Sequence, residues 1–209
     1  MKTLNLTLVI LGLLMINELQ AQMGIQAGAT ALNGDSFLTD DGEDLVGSSV
    51  GYTVGLTYNK RIAPFLVLQP SLNLLNKRWR DELDDVNGDI TVTLMSINYI
   101  EIPVQLMYKQ NKVTGFFAGG GPSLIYGISG KRKITFNGDS SSTDYEFGDA
   151  EGQENPLTIA INMMAGYSFR TIQIGLNYTH GLTNQSGDEQ TQGNAQHVAL
   201  RIGYVFGVR

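Results

Sequence analysis

The chain contains no cysteine. That excludes a disulfide framework, a thiolate metal site and an anchor built on a lipid-modified cysteine. Beyond residue 21 there is no apolar run of about 18 residues or more, so no transmembrane helix is expected. Positive charge is scarce, with 14 Lys and Arg against 20 Asp and Glu and a net charge of −6. Nothing in that balance would neutralise a phosphate backbone, which argues against nucleic acid as a partner. Histidine is limited to His180 and His197. Serines stand at Ser140 to Ser142, but no nucleophile elbow joins them to a histidine, so no catalytic residue is assigned.

What is present points to β-structure. The 25 glycines, 9 tyrosines and 8 phenylalanines suit an all-β protein better than a helical one. Large apolar residues alternate with small or polar ones along 50–58, 157–169, 172–178 and 198–206. In the last of these Val198, Leu200, Ile202, Tyr204 and Phe206 alternate with Ala199, Arg201, Gly203 and Val205. Such a period of two defines a strand with one apolar face. Less regular strands are expected at 23–32, 65–76, 95–109 and 115–129. Pro70, Pro103 and Pro122 fall inside three of them and predict bulges or local unpairing.

The connections alternate in length. Long ones cover about 33–48, 77–90, 130–155 and 184–195, and short ones about 60–64, 110–114 and 170–171. Of the 20 acidic residues, all but Glu18 and Glu101 fall in the long connections. The short ones are basic, with Lys60, Arg61, Lys112 and Arg170. Strand interiors carry essentially Glu101 and Arg201, with Lys109 at a strand end. A soluble strand protein normally places Lys and Glu on its outer face, and their absence puts that face in lipid. The reading is an eight-stranded antiparallel transmembrane β-barrel of the outer-membrane type, with four long outer loops and three short periplasmic turns. Residues 1–21 read as a secretory signal peptide: Lys2, an apolar stretch from Leu4 to Ile16, and Ala21 at the cut. Residues 22–209 then form the barrel domain, in the bacterial outer membrane, with both mature termini periplasmic.

The segments Ile97-Asn98-Tyr99-Ile100-Glu101-Ile102-Pro103 and Gly115-Phe116-Phe117-Ala118-Gly119-Gly120-Gly121-Pro122 resemble a known family. Gly166-Tyr167-Ser168-Phe169 and the stretch from Leu176 to Asn184 continue the likeness. Together they resemble the PorT-like outer-membrane β-barrel domain of Bacteroidetes, over nearly all of 22–209. The resemblance implies an eight-stranded barrel in the outer membrane and says little about function. The name-giving member is linked to protein secretion and gliding, and that role is not carried over. The last strand also resembles the signal read by the barrel-insertion machinery, with Gly203, Phe206 and Val208 in the matching positions.

Three groups of residues carry candidate chemistry. Glu101 shares its strand face with Pro103, Gln105 and Met107, assigned to the lumen. A carboxylate in a narrow lumen needs a partner. Arg201 is the expected one, across the barrel and equally far from the periplasmic end of its strand, giving a structural luminal ion pair. Asp85, Asn87 and Asp89 set oxygen ligands around Gly88, a partial calcium pattern without the later bidentate glutamate. Gly119 to Gly121 sit mid-strand and are read as relief of crowding rather than a phosphate loop. No cofactor is expected. Expected partners are outer-membrane lipid or lipopolysaccharide, the insertion machinery, and a protein partner at the outer loops. The functional reading is a structural or interaction protein with a filled lumen. Alternatives are an accessory part of a secretion or uptake complex and, behind that, a lipid-modifying enzyme.

Overall fold

The computed structural model describes residues 21–31, 50–84, 90–110, 114–137, 139–148, 153–184 and 194–207. These residues form nine strands and no helix. They are β1 (Ala21–Ala31), β2 (Gly51–Ala63), β3 (Leu66–Asp84), β4 (Ile90–Lys109) and β5 (Thr114–Phe136). Then follow β6 (Asp139–Tyr145), β7 (Leu157–Phe169), β8 (Ile172–Asn184) and β9 (Asn194–Val205). Each of β1 to β5 pairs antiparallel with the next, β5 pairs onward with β7, then β8 and β9, and β9 closes on β1. The result is a ring of 8 antiparallel strands, with β6 outside it. A closed ring leaves no sheet edge along the wall, which is what a β-protein in lipid requires.

The alternation read from the sequence sets the two faces. Outward positions expose large apolar side chains, among them Leu72, Val104, Leu124, Met163, Leu176 and Leu200. Inward positions bury Asn73, Glu101, Gln105, Asn162, Thr179 and Arg201. A water-soluble protein has the reverse arrangement. The apolar exterior with a polar filled interior is a wall that stands in hydrocarbon.

Two stretches expected as loops are strand instead. The stretch 77–90 continues β3 to Asp84 and resumes as β4 at Ile90, in register from Lys77↔Ile97 to Asp84↔Ile90. The stretch 130–155 holds the end of β5 and all of β6, paired from Gly130↔Tyr145 to Phe136↔Asp139. Pairing with the partner strand overrode the glycine, serine and acidic content that had suggested loops. The wall is therefore uneven. β3, β4 and β5 have 19, 20 and 23 residues, whereas β1, β2, β7, β8 and β9 have 11, 13, 13, 13 and 12. The surplus forms a sheet of β3, β4, β5 and β6 rising from the end opposite the chain termini. Of the other long connections, most of 33–48 and 184–195 lies outside the described residues, as do residues 1–20.

The prolines do not shift the register. Val104 faces Pro70, and Ser123 faces Pro103, within ladders of constant register. Proline removes a donor but adds no residue, so pairing lapses beside it without a bulge. The shifts lie elsewhere, at Arg61/Ala63, Asn98/Tyr99 and His180/Asn184. Asn98 faces Ser129 while Tyr99 faces Gly127, so Ile128 is an extra residue on β5. This exchanges the faces of β5 above that point: even positions such as Leu124 and Tyr126 are outward below it, odd ones such as Ser129 and Lys131 above it.

Candidate functional site

The lumen is filled at three levels. Nearest the termini lie Val67, Met107, Phe117 and Met164. At the far end Leu75, Ile97, Tyr99, Ile125 and Ala160 pack together, with Trp79, Tyr145 and Phe147 against them. Between the two is a polar layer centred on Glu101. Gly119 makes the lower packing feasible, because a Cβ there would stand 2.8 Å from Met107 Sδ and closer still to the β4 backbone. The triple glycine is thus a close approach of neighbours, as its mid-strand position suggested.

Glu101 on β4 is fully buried, and Arg201 on β9 is buried beside it. Arg201 Nη2 donates to Glu101 Oε2 at 2.7 Å. Asn73 Nδ2 on β3 donates to the same oxygen at 3.0 Å. The other oxygen, Oε1, accepts from Thr179 Oγ1 on β8 at 3.1 Å and from Asn162 Nδ2 on β7 at 3.5 Å. His197 Nε2 on β9 lies 3.4 Å from that oxygen. The layer spreads through Gln26, whose Nε2 donates to Asn73 Oδ1 at 2.6 Å, and through Gln105 and Asn177, which donate to Asn162 Oδ1. One carboxylate is thereby linked to every ring strand but β2 and β5. A buried charge is tolerable only where its lone pairs are met by donors, and here they are.

His197, one of the two histidines, stands near the start of β9. It lies in the lumen at 0 % exposure. The signal was available, since His197, Ala199 and Arg201 share one parity along β9. Lys77, assigned to a loop, is likewise a strand residue. It is 2 % exposed, and its Nζ sits 4.9 Å from the centre of the Tyr99 ring. His180 lies on the outer face, its ring stacked on Tyr178 with centroids 6.3 Å apart.

A cap covers the far mouth. Tyr99 Oη donates to Glu154 Oε2 at 2.7 Å. Phe147 forms a bridge with Glu154, and Gly127 N donates to Pro156 O at 2.7 Å. Gly127 leaves room for the Phe147 ring, since a Cβ there would come within 2.1 Å of it. Tyr145, in β6 beyond the membrane-spanning wall, has its hydroxyl held above the ordinary tyrosine range. Burial is the first cause, and the Glu154 carboxylate beside it is the second.

Thr179, His197 and Glu101 bring a hydroxyl, an imidazole and a carboxylate together. The hydroxyl donates to the carboxylate, however, and all three are sealed from solvent. A substrate could not reach them, so the arrangement cross-links strands and does not form a nucleophile with its base. Among the described residues no group of His, Asp or Glu could hold a metal ion. Asp85, Asn87 and Asp89 lie outside the described residues. Of the insertion-signal positions, Gly203 pairs with Gln26 and Gln173. Phe206 is exposed, with its ring edge-on to Tyr204 and its N–H donating to Met23 O at 2.8 Å. Val208 lies outside the described residues.

A closed antiparallel ring with a lipid-facing exterior and a cross-linked polar interior defines an integral outer-membrane β-barrel. Residues 17–187 match the model of the outer membrane protein beta-barrel domain, and the chain belongs to that family. Comparison with curated proteins gave no match. Among solved structures it is similar to Ail, the attachment invasion locus protein of Yersinia pestis, at 14 % identity and a TM-score of 0.39, over 89 % of this chain and 97 % of that one. It is also similar to Neisserial surface protein A, at 10 % identity and a TM-score of 0.35, over 88 % and 94 %.

Proposed function

We propose that the protein is a structural or interaction component of the bacterial outer membrane and that it conducts no solute. The observation that carries this is the polar layer around Glu101, continuous with apolar packing above and below it. An eight-stranded ring is narrow enough for side chains to fill it. With the lumen occupied, the surfaces left to act are the outer sheet of β3 to β6 and the long connections, which face the medium or a protein partner. The chain termini then lie in the periplasm, as the short basic turns on the same side support. Residues 1–21 serve as the signal peptide, and Gly203, Phe206 and Val208 form the segment read by the insertion machinery. The motifs around Glu101 and Gly119 favour the PorT-like branch of outer-membrane barrels.

No enzymatic role is proposed, because the histidines are either sealed in the lumen or stacked on the outer wall. Membership of a secretion or uptake complex is the second reading, supported by the long outer sheet. The test is reconstitution of the full chain in planar bilayers. A folded barrel, shown by different gel migration before and after boiling, is expected to give no conductance steps. Discrete steps from such folded protein would sink the sealed-lumen reading. Affinity purification from native membranes then separates the first role from the second.

A further inference from the structure

At the end of the barrel that carries the short turns, the lipid-facing wall is hollowed. Ala118 on β5 faces Ala165 on β7, and both are exposed. Their other neighbours are large: Ala118 also faces Tyr108 on β4, and Ala165 faces Leu176 on β8. The result is a groove of about 650 Å³, flanked by Tyr108 on one side and Ile174 on the other. It runs past the rings of Phe116 and Tyr167, edge-on at 4.8 Å, to Gln110 and Phe169 at the rim. Phe65 stacks on Tyr108 at 6.0 Å and holds that flank. Arg170 follows Phe169 in the turn between β7 and β8 and is exposed. No Asp or Glu occurs in 45–80, 102–138, 155–187 or 190–209. Those stretches hold the three short turns and the end of the last strand, so this rim supplies Arg170 with no side-chain carboxylate. Glu18 stands ahead of β1, in the segment proposed as signal peptide. Lys109 is turned inward, with its Nζ 5.4 Å from the centre of the Phe117 ring.

We infer that this groove is a binding site for one phospholipid of the inner leaflet, with an acyl chain over Ala118 and Ala165 and the phosphodiester at Arg170 and Gln110. The assignment to the inner leaflet rests on the orientation proposed above. Height supports it. A residue advances about 3.3 Å along a strand, and strands tilt by roughly 40°, so Arg170 stands about 13 Å beyond Ala165 along the barrel axis. Half the hydrocarbon is about 15 Å thick, which puts the alanines among acyl chains when Arg170 is among headgroups. The aromatic rings between them stand at the interfacial level where such barrels carry their girdles. Charge supports it as well. A guanidinium binds phosphate oxygens in bidentate fashion, and the Gln110 amide adds a donor beside it. In hydrocarbon the gain is contact rather than exclusion of water. A chain seated in the groove touches protein on three sides, where a flat wall offers one. Continuity with the lipid-facing wall selects lipid as the occupant. A second barrel presents a broad convex wall, which cannot enter a slot whose flanking strands, β4 and β8, lie roughly 14 Å apart.

The test is native mass spectrometry of the full chain folded in uncharged detergent, titrated with dioleoyl phosphatidylglycerol. Wild type is expected to retain one lipid. A118L/A165L fills the groove with side chains that still face lipid, and should bind about fivefold more weakly as the contact volume is lost. R170Q should also bind roughly fivefold more weakly, the contribution of one cation beside an anionic headgroup, and dioleoylglycerol, which lacks the phosphate, should bind wild type about as weakly. A27L, at an exposed position on the β1 wall, should bind as wild type. Should A118L/A165L lose its heat-dependent gel shift, A165V alone is expected to weaken binding about twofold. Unchanged affinity in the folded groove variants, an equal loss in A27L, displacement by millimolar inorganic phosphate, or a lipid-free dimer would overturn the site. Unchanged affinity in R170Q would overturn the seat of the phosphodiester. The leaflet is read separately in R170C, since the native chain has no cysteine. A membrane-impermeant maleimide should label it in lysed cells only. Labelling of intact cells would overturn the orientation and the leaflet, whereas the lipid titrations address the groove and the gel shift reports the barrel itself.

Discussion

The barrel has a short side and a tall side, built from one alternation rule and put to different ends. On the short side β1, β2, β7, β8 and β9 have 11 to 13 residues. A tilted strand needs about 9–11 to cross the hydrocarbon, so these do little more than span it. On the tall side β5 alone has 23. Its surplus pairs with β4 and β6 beyond the point where pairing with β7 ends at Tyr126. Both sides contribute to the layer around Glu101, but the tall side alone adds the cap. The membrane dictates the short side.

The largest expected effect breaks the part that both sides share. Glu101→Ala leaves Arg201 buried without its anion and takes an acceptor from Asn73, Asn162 and Thr179. A loss of about 3–5 kcal/mol is expected, read as a lower urea midpoint in phospholipid vesicles. Replacing Glu101 and Arg201 together by methionine should recover much of it, since removing both charges removes the uncompensated one. A loss of less than about 1 kcal/mol of unfolding free energy in E101A would mean that the layer does not hold the strands together.

Next in size is a change confined to the tall side. Gly127→Val drives a branched side chain into the Phe147 ring, and overpacking of this kind costs about 1–3 kcal/mol. The loss should fall on the cap, so a protease should cleave 146–156 faster while the heat-dependent gel shift persists. Equal protection in the variant would show that Phe147 does not seat there.

A smaller effect is a pH dependence of the same cap. The raised value of Tyr145 means that the folded cap retains a proton that the open form gives up. That stabilisation is fully present below the ordinary tyrosine range near pH 10 and is lost as pH climbs through the folded value. Protease protection of 146–156 should therefore weaken above roughly pH 10, and less so in Tyr145→Phe. Identical profiles for the two proteins would remove Tyr145 from the account.

The smallest effect is expected at the free flank of β6. Ser142 is exposed there, so Ser142→Ala should change stability by less than about 0.5 kcal/mol. A larger loss on thermal unfolding would show that β6 packs against more than β5.

Much of the wall was legible in the sequence, because alternation is a local property. Val198 to Phe206 announce their faces residue by residue. The same parity puts Glu101 and Arg201 inward, and the structure brings them to 2.7 Å. His197 carried the same parity signal. The extension was not legible, because Asp81 to Asp84 and Ser140 to Ser142 have loop-like composition. They are strand only because β4 and β5 lie alongside. The exchange of faces at Ile128 was hidden for the same reason, since a bulge is a relation between two strands.

The sequence by itself therefore determined an all-β chain with one apolar face, a lipid-facing wall and a charged pair with nowhere to go but inside. Each of these follows from period-two spacing and from the cost of placing charge in hydrocarbon. Only the tertiary structure decided how far β3, β4 and β5 rise, which strands meet at Glu101, and which way Lys131 and Lys133 face. Those are matters of register, and register is fixed by partners distant in the chain.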